Sequence, residues 1–220
     1  GIALGGFPSH VVATTDEENG LSNPDLVQEV LSHPELTITL KLDGSSCTVI
    51  IKNGEIWQVC SRRLSLKETE ENGFWKAARK LSIPPNWTGT IQGELMGPGV
   101  QGNQLKLSEP TLFVFQIRQN DRFLAYEEMQ TLAENGLNTP LVPLVGHTES
   151  NSVNDLNEFQ KLADNQRISE SLFPKLNLNL TVKDGEENHA EGIVVRPKSY
   201  KSAGNGRPLG FKIINRNYKD

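Results

Sequence analysis

At 220 residues, with 36% apolar and 22% charged side chains, the chain can bury the core of one large or two small globular domains. No apolar run reaches the roughly 18 residues a membrane span needs and no charged-then-apolar leader opens the chain, so a soluble intracellular protein with no membrane partner is expected, its compartment open. The net charge of -5 argues against a nucleic-acid binder, yet residues 196–220 hold seven Lys and Arg against one acid, a local +6 on a remainder of -11 that suits phosphate contacts.

Residues 1–22 read as a lead-in and 23–220 as the domain proper. Asn23 as N-cap, Pro24 in the first turn, and Leu26, Val27, Val30 and Leu31 on one face predict a helix. Thr37 to Leu42 alternates as a strand and ends at Asp43-Gly44. Cys47–Ile51 and Ile56–Cys60 flank Asn53-Gly54, the strongest short hairpin signal, because a type I′ turn needs two residues of positive φ. A strict two-residue loop would set Lys52 opposite Glu55, Cys47 opposite Cys60 and Ser45 opposite Arg62, bringing Arg62 close to the turn after Lys41. Helices are expected over 68–82, 126–135 and 153–164. Strands are expected over Thr88–Met96, Thr111–Ile117 (turning at Gln119-Asn120-Asp121), Gly192–Val195 and Phe211–Ile214. Strands dominate without βαβ alternation, so the class is α+β, mainly antiparallel sheets with flanking helices.

Several chemistries are disfavoured. Cys47 and Cys60 make neither a disulfide framework nor a zinc cluster. There is no Walker A string. Gly97-Pro98-Gly99-Val100-Gln101-Gly102 fits G-x-G-x-x-G, but Asn103–Pro110 lacks helical periodicity, and a dinucleotide site needs a helix N-terminus there. The histidines at 10, 33, 147 and 189 are scattered, with no nucleophile motif beside them. Lys41-Leu42-Asp43-Gly44, taken alone, is a lysine at a strand end before a turn.

Read together, however, six segments fall in one order over residues 41–215: KLDGSS with Lys41, SRR with Arg62, GELMG with Glu94, LFVFQI with Phe115, EGIVV with Glu191 and FKIIN with Lys212. The chain resembles the covalent nucleotidyltransferase superfamily of RNA ligases, DNA ligases and mRNA capping enzymes. GELMGPGVQGN and the preceding FPSHVVATTDEE are similar to the nick-sealing RNA ligases of the Deinococcus and Naegleria type. That resemblance implies the ATP-grasp-like nucleotidyltransferase fold of ligases. It implies ATP as cofactor, held as an AMP adduct on Lys41, and Mg²⁺ or Mn²⁺. The partner would be RNA with a 5′-phosphate and a 3′-hydroxyl, as in a nicked duplex. Lys41 and Lys212 would be catalytic. Leu40, Gly44, Arg62, Glu94, Phe115 and Glu191 would join them in binding AMP or ATP, with Phe115 stacking on adenine and Glu94 reaching the ribose. Glu191, Glu94 and Asp43 would hold the metal through water. Leu40 and Gln116 stand where acids are common in such ligases, Ile214 where a second lysine is, and Thr14 where a lead-in lysine is. The resemblance also implies an N-terminal OB module for which the chain has no room, so an excised domain or a natural minimal form is expected. A DNA ligase, a capping guanylyltransferase and a non-catalytic nucleotide- or RNA-binding module are the alternatives.

Overall fold

The structure is a computed structural model and describes residues 1–150, 155–203 and 206–218. In chain order its elements are β1 (Ala3–Gly6), β2 (Glu18–Asn19), α1 (Pro24–Leu31), β3 (Glu35–Lys41), β4 (Ser45–Lys52), β5 (Glu55–Cys60), β6 (Leu64–Leu66), α2 (Gly73–Arg79), β7 (Gly89–Met96) and β8 (Thr111–Gln119). There follow β9 (Arg122–Phe123), α3 (Tyr126–Thr131) with a π-helical continuation over Leu132–Leu137, β10 (Leu144–Glu149), α4 (Leu156–Asp164), β11 (Gly192–Pro197) and β12 (Phe211–Ile214). The class is α+β with mainly antiparallel sheets, as expected; β12 and β2 make a short parallel pair. The chain divides into two compact units: Gly1–Thr15, Gly44–Val142 and Ser202–Arg207 form one, and Asp16–Asp43, Pro143–Lys201 and Pro208–Asp220 the other. Residues 1–22 thus contribute β1 to one sheet and β2 to the other.

The first unit holds a seven-stranded sheet in the order β1-β6-β5-β4-β7-β8-β9. Register lines up Cys47, Gly93 and Val114, then Val49, Ile91 and Ile117, on one face. All of these are buried, and the opposite face carries Ser46, Thr48, Gln92, Glu94 and Gln116. Asn53 and Gly54 take φ of 53° and 83°, and Lys52 pairs with Glu55, as the Asn-Gly signal predicts. The rest of that hairpin departs from the strict register. Ile51 pairs with Ile56 but Ile50 pairs with Gln58, so Trp57 is an inserted bulge residue. Thr48, not Cys47, therefore faces Cys60, and the β4–β5 pairing ends there, so Ser45 is not paired with Arg62. The cause is burial: without the bulge, Gln58 would sit opposite core Val49 and Val59 would turn to the polar face. The bulge pairs Val49 with Val59, both fully buried, and leaves Trp57 44% exposed under the Lys52 ammonium, 3.4 Å from its ring centre.

The expected helix over 68–82 is shorter, because Asn72 caps it: its side chain accepts from the N–H groups of Phe74 and Trp75. The glycine-rich 97–102 segment is a turn, with Gly97 and Val100 bridged and no helix after it. The first two residues of the helix expected over 153–164 lie outside the described residues, and α4 begins after the Asp155 N-cap.

The second unit is a five-stranded sheet in the order β10-β3-β11-β12-β2. One face is apolar: Leu36, Ile38 and Leu40 of β3, Ile193 and Val195 of β11, and Phe211 and Ile213 of β12 are all buried. Helices α1 and α4 pack against β11 and β12, with Phe159 of α4 edge-on to Phe211 at 5.6 Å. Asn23 caps α1 as expected, and Val27 and Val30 are its buried side. The second face carries Thr37, Thr39 and Lys41 of β3, Val194 and Arg196 of β11, and Lys212 and Ile214 of β12.

Candidate active site

Lys41 ends β3, directly opposite Gly192 of β11, and Gly192 is in turn opposite Ile214 of β12. One step along the same face, Thr39, Val194 and Lys212 form the next row, so Lys41 and Lys212 share a face, diagonal across β11. Gly192 is required there: a Cβ would lie 2.2 Å from the Ile213 carbonyl oxygen. Glu191, one residue before β11, reaches Lys41 with Oε1 3.4 Å from Nζ, the two side chains being 21% and 19% exposed. Burial pushes the Glu191 carboxyl above the ordinary glutamate range; Lys41 opposes that shift, repulsion from Asp43 adds to it, and Lys212 opposes it. Glu191 and Asp43 are oxygen donors of the kind a hydrated divalent cation takes, here set against the ammonium groups of Lys41 and Lys212. Leu40 points its side chain into the apolar core, and its N–H donates to the Pro143 carbonyl at 2.9 Å.

The segment after β12 holds this arrangement in place. The buried Asn215 donates from Nδ2 to the Ala190 carbonyl at 3.0 Å and from its backbone N–H to the Glu191 carbonyl at 2.8 Å. Arg216 clamps Asp164 of α4 with its backbone N–H and guanidinium. Tyr218 donates its hydroxyl to the Asp43 carboxylate. Sequence reasoning read residues 196–220 as a basic tail and missed Asn215 and Tyr218. Nothing in their spacing signals a role, which only the return of the chain to Asp43 and Glu191 reveals.

The remaining predicted residues belong to the first unit. Gly44 packs so closely on β7 that a Cβ would meet the Leu95 carbonyl oxygen at 2.1 Å and Glu94 Cγ at 3.1 Å, so this turn has to be glycine. Glu94, half-buried, pairs with Ser46 on one side and Phe113 on the other. Phe115 is itself a bulge residue: Gly93 pairs with Val114 but Gln92 with Gln116. The bulge keeps Val114 and Ile117 both on the core face and leaves Phe115 half-buried between fully buried neighbours. Gln116 donates to Gln92, which donates to Thr48 and to the Ala13 carbonyl, strapping the lead-in to this face. Thr14 accepts from Arg207 at 3.1 Å. Arg62 is exposed just past β5. Burial, then Cys60 and Glu94, push the Cys47 thiol up, and burial pushes Cys60 up to about 11, so both are inert core thiols. Among the described residues no three His, Cys, Asp or Glu side chains converge as a directly ligated metal would require.

Residues 34–214 match the RNA ligase family. Among solved structures, a variant of Naegleria gruberi RNA ligase with ATP and Mn superposes with a TM-score of 0.71 at 27% identity, covering 98% of this chain and 59% of that one. Another variant with AMP and Mn gives a TM-score of 0.71 at 26% identity over 98% and 59% of the two chains. The same ligase with pyrophosphate gives 0.70 at 27% over 98% and 59%. This chain thus spans about 59% of the length of these relatives. Among curated proteins no sequence matches it significantly. The ordered motifs, the Lys41–Glu191 pairing and the family match agree: the chain belongs to the RNA ligase family.

Proposed function

We propose that this chain is the adenylyl-transfer domain of an ATP-dependent RNA ligase, in which Lys41 takes AMP from ATP, passes it to an RNA 5′-phosphate, and the activated end is sealed to a 3′-hydroxyl across a nick. The observation that carries this reading is the Lys41–Glu191 contact of 3.4 Å with Lys212 on the same sheet face, in a chain of the RNA ligase family. The Naegleria gruberi ligase, solved with ATP and Mn and with AMP and Mn, supports ATP and Mn²⁺, or Mg²⁺ in its place, as cofactors.

In this reading Lys41 Nζ forms a bond to the α-phosphorus while the bond from that phosphorus to the pyrophosphate oxygen breaks, and pyrophosphate leaves with the electron pair. The amine must first lose a proton. An unperturbed lysine is about one part in a thousand amine near pH 7.4, a handicap of about 4 kcal/mol. A positive neighbour such as Lys212 on the same face favours the neutral amine, whereas an ion pair such as that with Glu191 favours the ammonium. Glu191 and Asp43 would hold a divalent ion through its waters, and Glu191 would then no longer be paired with Lys41. Such an ion would supply charge neutralisation at the α-phosphate and the departing pyrophosphate. In the first unit, the same reading gives Phe115 to adenine, Glu94 to the ribose or to metal-bound water, and Arg62 to phosphate.

Mass spectrometry tests the reading. The protein incubated with ATP and Mn²⁺ gains the mass of one AMP, pyrophosphate removes it, and Lys41→Ala abolishes it. Labelling by GTP instead of ATP would make the chain a capping guanylyltransferase, and sealing of all-DNA nicks a DNA ligase. Wild-type protein that takes up no nucleotide covalently overturns the proposal in favour of a binding module.

A further inference from the structure

We infer that Tyr218 is a positioning residue for Asp43, and that the segment Asn215–Tyr218 is a tether setting the two carboxylates that would hold the divalent ion; this rests on the function proposed above. Asp43 lies two residues past Lys41, in the loop that leaves β3, where the strand ladder no longer fixes it. A short acid on such a turn has several rotamers, and a carboxylate meant for metal-bound water has to be held in one. The Tyr218 hydroxyl supplies that hold by donating to Asp43 Oδ2.

The donor is itself fixed. The Tyr218 N–H donates to the Asn215 carbonyl at 3.1 Å, and the Asn217 N–H donates to Asn215 Oδ1 at 2.8 Å, so the segment folds as a tight turn. Arg216 pins that turn to α4 through Asp164 at 2.6 to 2.9 Å. The same Asn215 holds the carbonyls of Ala190 and Glu191. One short turn therefore grips both acids flanking Lys41: Glu191 through its backbone and Asp43 through its side chain. Asp43 and Glu191 are close enough for their repulsion to register on Glu191. A tyrosine is well suited to this contact, since it donates one hydrogen bond to the carboxylate without adding a charge that would neutralise it toward a cation.

Tyr218→Phe in the full chain tests this. Mn²⁺ binding is followed by the electron paramagnetic resonance signal of free Mn²⁺, in the presence of an ATP analogue with a methylene between the α- and β-phosphorus, which cannot transfer AMP. A hydrogen bond to a charged group, once lost, predicts about tenfold weaker Mn²⁺ binding. The half-saturating Mn²⁺ for adduct formation from ATP should rise equally, with the melting temperature unchanged. Superimposable titrations for Tyr218→Phe and wild type, or a lower melting temperature with unchanged Mn²⁺ affinity, overturn the tether. Absence of the adduct in wild type defeats the proposed function instead, and the resonance titration still decides the tether.

Discussion

Side chain by side chain, Lys41 sits among charges of both signs. Glu191 pairs with the Lys41 ammonium, and Lys212 stands on the adjacent row of the same sheet face. Phe115 makes the sharpest single-residue forecast. Stacking of a base on an aromatic ring is worth about 1–3 kcal/mol, so Phe115→Ala should weaken ATP binding by roughly tenfold or more in a calorimetric titration. Were the ring plain core, the substitution would instead lower stability by about 3–5 kcal/mol and leave the affinity of the folded fraction unchanged. Lys41, Glu191 and Lys212 were legible because the spacing and order of their motifs survive in the linear sequence. Tyr218 and Asn215 were not, since their work depends on where the chain returns.

Among the elements, the misread hairpin register and the bulge at Phe115 share one cause. Half-buried Ile56 and buried Val59, and likewise buried Val114 and Ile117, share a face though three apart on a strand, where strict alternation puts residues three apart on opposite faces. An inserted residue resolves each conflict, Trp57 in one strand and Phe115 in the other. The turn residues were decisive locally, but the buried face decided the register beyond them. Helix α4 and the segment after β12 carry a pH forecast. Burial alone would raise the Asp164 carboxyl, but hydrogen bonds from the Arg216 guanidinium and backbone and from Gln160 outweigh it, and the net shift is downward. A lowered carboxyl contributes stability above its unfolded value and loses it as pH falls through the folded one. Asp164→Asn should therefore melt roughly 2–4 °C lower than wild type at pH 7. In scanning calorimetry the gap should close as the pH drops below the ordinary aspartate range.

Across the whole chain, charge is divided unevenly, with the positive excess of residues 196–220 set against a negative remainder. If those cations meet an RNA backbone, affinity should fall steeply with salt. About four phosphate contacts on a single strand predict a loss of roughly fiftyfold between 50 and 200 mM salt, measurable by fluorescence anisotropy with a labelled 5′-phosphorylated RNA. A flat salt response would assign the basic tail to solvation alone. The strand order of the second sheet has a last consequence, for protein synthesis. β11 and β12, the next strands in that sheet, are translated about 150 and 170 residues after β3. A polypeptide ending before Glu191 would carry Lys41 without Glu191, Lys212 or the Asn215–Tyr218 segment. If Lys41 takes AMP from ATP as proposed, nucleotide consumption would be withheld from such unfinished chains, with no dedicated inhibitor.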